Sequence, residues 1–132
     1  MTSLARTVVV LLILSVLVLP GCVGLGALGF GATGVQALGE DAAELLVVEH
    51  SFDAVYAAAL KEVESRGTLR YTEARIGKID AEILGSRVEV RITGPKRGTV
   101  RCVVSARRNI GISPDQRLAS DLASSIEDRL DG

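Results

Sequence analysis

Residues 79–104 read IDAEILGSRVEVRITGPKRGTVRCVV, and apolar side chains alternate with polar ones along three segments of this stretch. A period of two is typical of β-strands that bury one face. A two-residue turn at residues 85–86 would place Ile83 opposite Val88, with the apolar side chains of both segments on one side of the sheet. The first two segments therefore predict a β-hairpin.

The third segment adds a second hairpin. A five-residue loop at residues 94–98 would place Ile92 opposite Val100 and keep the apolar side chains on the face that the first hairpin buries. Because both registers agree on the buried face, the sequence predicts an antiparallel meander of three strands.

Helical periodicity precedes these strands. The apolar run at residues 45–48 predicts the first strand, and apolar side chains then recur at helical spacing over residues 52–63. Ser51 is suited to cap the start of this helix and Gly67 its end, while Glu62 is expected to face water.

A second helix is predicted near the C-terminus. Ser113, Pro114 and Gln116 match a capping box with proline at the first helical position, and an apolar stripe follows. A further strand at residues 69–75 completes the order β-α-β-β-β-β-α. Two amphipathic helices must cover one apolar sheet face, so residues 44–132 are predicted to form an α+β two-layer sandwich with a mainly antiparallel sheet of about five strands.

Charge divides the chain into an apolar N-terminal part and a charged remainder. The 132 residues include 15 Lys and Arg and 16 Asp and Glu, and Arg6 is the sole charged residue before Glu40. The charged part suffices for one small domain, which excludes large multidomain enzymes. The formal net charge of −1 gives no electrostatic reason to expect nucleic acid, and no such partner is predicted.

The N-terminal residues have the pattern of an export signal. An apolar run of twelve residues, 8–19, follows Arg6. Crossing a bilayer takes about 20 residues, so this run has instead the length of a secretory signal. The end of this run and the three residues after it, Leu19-Pro20-Gly21-Cys22, resemble the bacterial lipobox.

The lipobox resemblance implies a lipoprotein signal peptide over residues 1–21, acylation of Cys22, and a lipidated glycine-rich tether over residues 22–43. Lipid on both the sulfur and the new N-terminus would anchor the chain stably in a membrane. The resemblance also implies the bacterial cell envelope. Val23 stands where an aspartate would retain such a protein in the inner membrane, which favours the periplasmic face of the outer membrane.

Other interpretations of this region remain open. The uncharged residues 7–39 are long enough for an uncleaved membrane anchor, and residues 35–37 (VQA) are a possible site for ordinary signal peptidase. Two overlapping G-x-G-x-x-G patterns within residues 24–34 follow no predicted strand, so no dinucleotide site is predicted.

The whole arrangement is similar to a family of small bacterial lipoproteins that contain a domain of unknown function. The likeness covers residues 45–130 and rests on the order of elements, with SFDAVYAAALKEVESRG and PDQRLASDLASSIEDRL as the two helices. It implies no catalytic residues and no cofactor.

Few side chains suggest chemistry. His50 is the sole histidine, which is too few for a multi-imidazole metal site, and no metal is predicted. Cys102 alternates with apolar residues and is expected to be a buried thiol rather than a nucleophile paired with His50. Asp80, Glu82 and Glu89 are expected on the solvent face of the first hairpin, where cross-strand arginines explain them. No catalytic residue is predicted.

One charge asymmetry suggests a binding surface. Residues 66–108 contain eleven Lys and Arg against four acids. In the predicted registers Arg87, Arg91 and Arg101 share the solvent face of the sheet, with Arg91 opposite both Asp80 and Arg101. Adjacent like charges destabilise a sheet unless an anion or water screens them.

Two functions follow from these patterns. The first is a non-enzymatic structural or interaction module of the cell envelope, held at the membrane by lipid, whose basic face is an ordinary solvated surface. The alternative is a module that binds an anionic ligand, such as lipid head groups, cell-wall glycan or an acidic protein, through Arg87, Arg91 and Arg101.

Overall fold

A computed structural model describes residues 34–132 of the chain. The predicted signal peptide, the lipidation site Cys22 and the first part of the predicted tether lie outside these residues. Within them, no helix is long and apolar enough to cross a membrane.

The described residues form a seven-stranded sheet and two α-helices, which confirms the predicted α+β class. The strand order is β1-β2-β6-β5-β4-β3, with β7 paired to β6, and every pair is antiparallel. The strands are β1 Gly34–Leu38, β2 Ala42–Val47, β3 Thr68–Glu73, β4 Lys78–Ile83, β5 Ser86–Lys96, β6 Thr99–Arg108 and β7 Ser113–Pro114; the helices are α1 Phe52–Arg66 and α2 Gln116–Asp131.

Both helices pack on one face of the sheet. Helix α2 contacts β1, β2 and β6, and helix α1 contacts β3, β4, β5 and β6. Between the layers lies a single cluster of small and medium apolar side chains, because valine, isoleucine and alanine occupy alternate strand positions. The largest fully buried members are Leu45, Ile79, Ile83, Ile92, Leu122 and Ile126.

Strand β1 is not among the predicted strands, because its residues belong to the segment 22–43, whose many glycines favour a tether. It pairs with β2 along its whole length, and Val35 packs on the core. Strand β2 also begins at Ala42, so the sheet starts before the domain boundary predicted at residue 44.

The register predicted for the first hairpin is wrong by two residues. Ile83 lies opposite Ser86 rather than Val88, so the turn consists of Leu84 and Gly85, both with positive φ (50° and 78°). Ser86 belongs to the strand, where it is buried and its hydroxyl donates to Asp115 at 3.2 Å. A shift of two residues preserves the faces, which is why the buried side chains are still those predicted.

The second hairpin differs from its prediction in the same way. Ile92 lies opposite Cys102 rather than Val100, and Lys96 lies opposite Thr99. The turn is therefore shorter than the predicted five-residue loop, because an irregularity between Thr93 and Lys96 takes up the extra residues within β5.

Helix α1 begins and ends where the sequence predicts. The Ser51 side chain accepts a hydrogen bond from the Ala54 N–H at 3.2 Å, and the Gly67 N–H donates to the Val63 carbonyl at 3.0 Å. Gly67 has extended backbone, with φ of −164°. A Cβ at Gly67 would overlap the carbonyl oxygen of Glu82, so this position requires glycine for space.

Helix α2 begins two residues later than predicted. Ser113 and Pro114 pair with Arg108 and Arg107 as strand β7, so neither can enter the helix. The cap is Asp115, whose carboxylate accepts a hydrogen bond from the Leu118 N–H at 3.3 Å.

Glu62 does not face water as predicted. It is 7% exposed and lies between the two helices, where Arg66 of α1 and Arg129 of α2 both donate to its carboxylate. Burial by itself would raise the pKa of Glu62, but the hydrogen bonds from Arg129 and Arg66 outweigh it and lower the pKa. Helical periodicity misplaced Glu62 because its partner Arg129 comes from the other helix.

We expect Leu84→Asn to stabilise the protein. The Leu84-Gly85 turn requires positive φ at both positions, a conformation that costs asparagine less than leucine. Leu84 is 94% exposed, so little packing is lost. The free energy of unfolding should rise by about 0.5 kcal/mol in urea titrations. Leu84→Ala, which keeps the unfavourable conformation, should bring no gain.

Candidate functional site on the open sheet face

The candidate binding surface is the side of the sheet opposite the helices, here called the open face. Because Val88, Val90 and Ile92 point to the core, the alternate residues of β5 point outward. The outward residues of the three central strands are mostly charged or polar: Lys78, Asp80 and Glu82 of β4, Arg87, Glu89, Arg91 and Thr93 of β5, and Arg101, Val103, Ser105 and Arg107 of β6.

Arg101 is held by a carboxylate of a neighbouring strand. Its Nε donates to Glu44 Oε1 at 2.7 Å, and its Nη2 lies 3.4 Å from Glu44 Oε2. Glu44 is 8% exposed, and the Arg101 hydrogen bond lowers the pKa of its carboxyl against the opposing effect of burial. The predicted pairing of Arg101 with Arg91 is wrong, since Arg101 lies opposite Thr93 on β5.

Arg91 also has an acidic partner. Its Nε donates to Glu89 on the same strand at 3.0 Å, and its cross-strand neighbours are Val103 and Lys78. Asp80, predicted opposite Arg91, instead lies opposite Glu89. The Nζ of Lys78 lies 3.5 Å from Asp80 and 3.9 Å from Glu89. Its positive charge offsets the repulsion between these two carboxylates.

Arg87 has a different environment. It lies opposite Arg107 on β6 and opposite Glu82 on β4, but within residues 34–132 it makes no ion pair. Its neighbours are engaged elsewhere, because Arg107 pairs with Asp41 at 2.7 Å and Glu82 pairs with Arg70. Arg87 is therefore an exposed guanidinium whose hydrogen-bonding capacity is free in the described part of the chain.

Two shallow grooves lie on either side of Arg87. The larger, of about 370 Å³, is lined by Arg70, Asp80, Ala81, Glu82, Arg87 and Glu89, and the smaller, of about 200 Å³, by Arg87, Glu89, Ser105 and Arg107. Both contain acidic as well as basic groups. Of the three predicted anion-binding residues, Arg87 lines both of these grooves, whereas Arg91 and Arg101 line neither of them.

The two residues considered for nucleophilic chemistry are in unsuitable positions. Cys102 is fully buried on the core face, as predicted, and burial raises the pKa of its thiol to about 12. At neutral pH the thiol is therefore protonated and enclosed by apolar side chains. His50 lies in the bend between β2 and α1, half-buried.

The described part of the chain contains no cluster of metal ligands. Within residues 34–132, no group of three or more His, Cys, Asp or Glu side chains is arranged to hold a metal ion. Asp80, Glu82 and Glu89 lie on the open face as predicted, where Lys78 and Arg70 neutralise them.

Sequence reasoning missed the acidic partners of the arginines. Asp41 comes from the segment assigned to the tether, Glu44 stands just before the strand predicted at residues 45–48, and Asp115 comes from the predicted helix, where it lies 3.4 Å from Arg108. The alternation of Glu44 with Ala43 and Leu45 was the available signal, since it extends strand β2 toward the N-terminus and turns Glu44 to the open face.

A scan against protein-family models and a search of the curated proteins find no match for this chain.

Proposed function

We propose that the chain is a lipid-anchored protein of the bacterial cell envelope, whose folded domain is a non-enzymatic structural or interaction module. The observation that carries the proposal is the sequence Leu19-Pro20-Gly21-Cys22 at the end of the apolar run of residues 8–19. The thiol of Cys22 would take the lipid, and the residues before it would be removed. Residue Val23 favours the periplasmic face of the outer membrane.

The charge arrangement of the domain supports a non-enzymatic role. Arg91, Arg101 and Arg107 each make a hydrogen bond to a carboxylate. Such pairing neutralises much of the charge of the open face within the domain itself. The buried thiol of Cys102 supports the same interpretation, because a catalytic cysteine needs an accessible thiolate.

Acylation is tested by growing the expressing cells with labelled palmitate. Label should enter the wild-type chain and should be lost in Cys22→Ala, whereas Cys102→Ala should be labelled like the wild type, since its thiol is in the core. The wild-type protein should fractionate with membranes. If the mature protein begins at Met1 and both wild type and Cys22→Ala stay in the membrane without label, the uncharged residues before β1 act as an uncleaved anchor instead.

A second proposal is that the open face binds an anionic ligand, and the unpaired state of Arg87 favours it. A free guanidinium beside two grooves can donate two parallel hydrogen bonds to a phosphate or carboxylate. Arg107, directly across from Arg87, would add positive charge. Arg91 and Arg101 would contribute less, because each would have to give up a carboxylate partner first.

We expect Arg87→Gln to weaken binding to isolated envelope fragments about tenfold in a sedimentation assay, the value of one charge-assisted hydrogen bond. Raising the salt concentration should weaken wild-type binding in the same direction. Arg91→Gln is the matched control on the same strand and should have a smaller effect. Unchanged affinity and salt dependence in a variant with Arg87, Arg91 and Arg101 all replaced by Gln would exclude the anion-binding role.

A further inference from the structure

Three aliphatic side chains project into solvent at one end of the sheet. Leu84 is 94% exposed, Ile110 is 86% exposed and Ile112 is 76% exposed, more than any other large apolar side chain in residues 34–132. Single exposed apolar residues are ordinary on protein surfaces, whereas a group of them at one place marks a contact surface.

The three residues belong to two neighbouring hairpin tips. Leu84 is in the turn between β4 and β5, while Ile110 and Ile112 are in the loop between β6 and β7. Strands β5 and β6 are paired at this end through Arg87 and Arg107, so the two tips are side by side. Arg87 reaches the second tip, since its Nη1 lies 3.8 Å from the position that a Cβ on Gly111 would occupy.

The stability of the folded domain does not explain why aliphatic residues occupy these positions. Leu84 has φ of 50° and Ile110 has φ of 59°, a left-handed conformation that glycine and asparagine adopt easily and that is a genuine outlier for a β-branched side chain. Neither side chain recovers this cost by packing, because both are exposed. Two separate tips depart from turn chemistry in the same way, which indicates that the exposed aliphatic groups serve contact with another phase or molecule.

We propose that the hairpin tips dock on a lipid bilayer, with Leu84, Ile110 and Ile112 entering the interfacial region and Arg87 binding lipid phosphates. This inference rests on the proposed lipid anchor, which would hold the domain next to a bilayer. Hairpin tips with strongly exposed aliphatic side chains suit a bilayer, which accepts protruding groups, whereas a protein partner would have to supply matching pockets. Arg87 lies beside the tips at the position where head groups would be, and its guanidinium is unpaired in the described part of the chain.

The length of the chain before the domain permits this orientation. Gly34, where β1 begins, is at the level of Leu46 and Arg101, and the tips lie beyond Arg108. Along β6 that separation is about 23 Å. The twelve residues from 23 to 34 can span at most about 40 Å. The lipid on Cys22 and the tips could therefore occupy the same membrane.

Tryptophan fluorescence tests the docking, because the chain contains no tryptophan. The full-length protein carrying Ile112→Trp is reconstituted in vesicles of phosphatidylethanolamine and phosphatidylglycerol with brominated acyl chains. We expect the emission to shift to the blue and to fall by about half relative to unbrominated vesicles. The control is Ile76→Trp, at the other end of β4 and itself 58% exposed, whose emission should not change.

A second variant separates loss of docking from loss of folding. Leu84→Asn combined with Ile110→Gly places residues suited to positive φ at both tips, so the protein should fold at least as stably. Added to the Ile112→Trp protein, this pair should abolish the quenching. Quenching that survives the pair, or that is equal at Ile76→Trp, would overturn the proposal.

Two further outcomes have definite meanings. Unquenched emission together with concentration-dependent self-association that the Leu84 and Ile110 changes abolish would show that the tips bind a second copy of the chain, which contradicts bilayer docking. Palmitate labelling of the same preparations separates the two proposals. Protein that is labelled but not quenched would support the lipid anchor and overturn the docking of the tips. Protein that is not labelled but is quenched when vesicles are added would support the docking and overturn the lipid anchor.

Discussion

Gly77→Ala is expected to remove most of the stability of the domain. Gly77 connects the short 3₁₀ turn Ala74–Ile76 to β4, and its φ is 66°. A Cβ there would overlap the carbonyl oxygen of Ile92 and lie 2.9 Å from Cζ of Phe52. The obstacle is backbone, which cannot rotate aside. We expect the free energy of unfolding to fall by about 3–5 kcal/mol, a large part of what a small domain possesses.

The close approach at Gly77 joins two strands. Its carbonyl accepts a hydrogen bond from the Ile92 N–H at 2.8 Å, so the added methyl group would push β4 and β5 apart at their point of contact. Phe52, at the start of α1, packs over the same place and would also be displaced. Denaturant titration followed by circular dichroism measures the loss.

Gly85→Ala is the matched control for this substitution. Gly85 has a similar φ of 78°, but no atom lies within 4 Å of its Cβ position. Alanine there has the conformational cost alone, about 1 kcal/mol. Equal losses at Gly77 and Gly85 would mean that the backbone conformation, rather than the contact with Ile92, makes glycine necessary.

Glu62→Ala is expected to have the second-largest effect. The carboxylate accepts from Arg66 at 2.6 Å and from Arg129, and Arg66 also donates to Ser125 of α2 at 2.5 Å. These contacts join the two helices. Removing the acid leaves two guanidinium groups without their partner, but their side chains are 33% and 39% exposed and water can solvate them. We therefore expect a loss of about 2–3 kcal/mol, below the full value for a buried pair.

Glu64→Ala provides the comparison on the same helix. It makes the same change in side chain and helix propensity at an exposed position, and should alter the free energy of unfolding by less than about 0.5 kcal/mol. Similar losses for Glu62→Ala and Glu64→Ala in urea titrations would show that the ion pairs between the helices contribute little.

The Glu62 contribution should also depend on pH. The pKa of Glu62 is lower in the folded protein than in the unfolded chain, so its stabilisation is fully present above the unfolded pKa of about 4.3 and is lost as the pH falls through the folded pKa. The free energy of unfolding of the wild type should therefore exceed that of Glu62→Gln at neutral pH, and this difference should disappear on acidification. A difference between the two proteins that stays constant from about pH 7 to pH 3 would contradict this assignment.

The hairpins show how far alternation predicts a sheet. Each residue of 79–104 that was expected in the core is there, yet both registers are shifted by two residues. The hydrophobic pattern has a period of two, so it distinguishes the faces but not registers that differ by two. The conformation of each turn determines which of these registers forms. Turn preferences do not predict leucine at a left-handed position, where Leu84 lies.

The register error had its greatest effect on the candidate site. Arg87, Arg91 and Arg101 are all on the open face, but the shift replaces the expected contact of Arg91 with Arg101 by separate acidic partners. Glu44 could not be identified as a partner while β2 was expected to begin at residue 45. Pairwise electrostatics acts over a few ångströms, so an error of two residues is enough to exchange repulsion for attraction.

By itself, the sequence determined the α+β class, the two helices, the buried face of each central strand and the isolation of Cys102 in the core. These follow from local periodicity, since a side chain's face depends only on its position within its own element. Tertiary structure alone decided the pairing of Glu62 with Arg129, the ion pair of Arg101 with Glu44, and the adjacency of the tips that carry Leu84 and Ile110. Such contacts join residues distant in the chain, and the packing of the whole sheet brings them together.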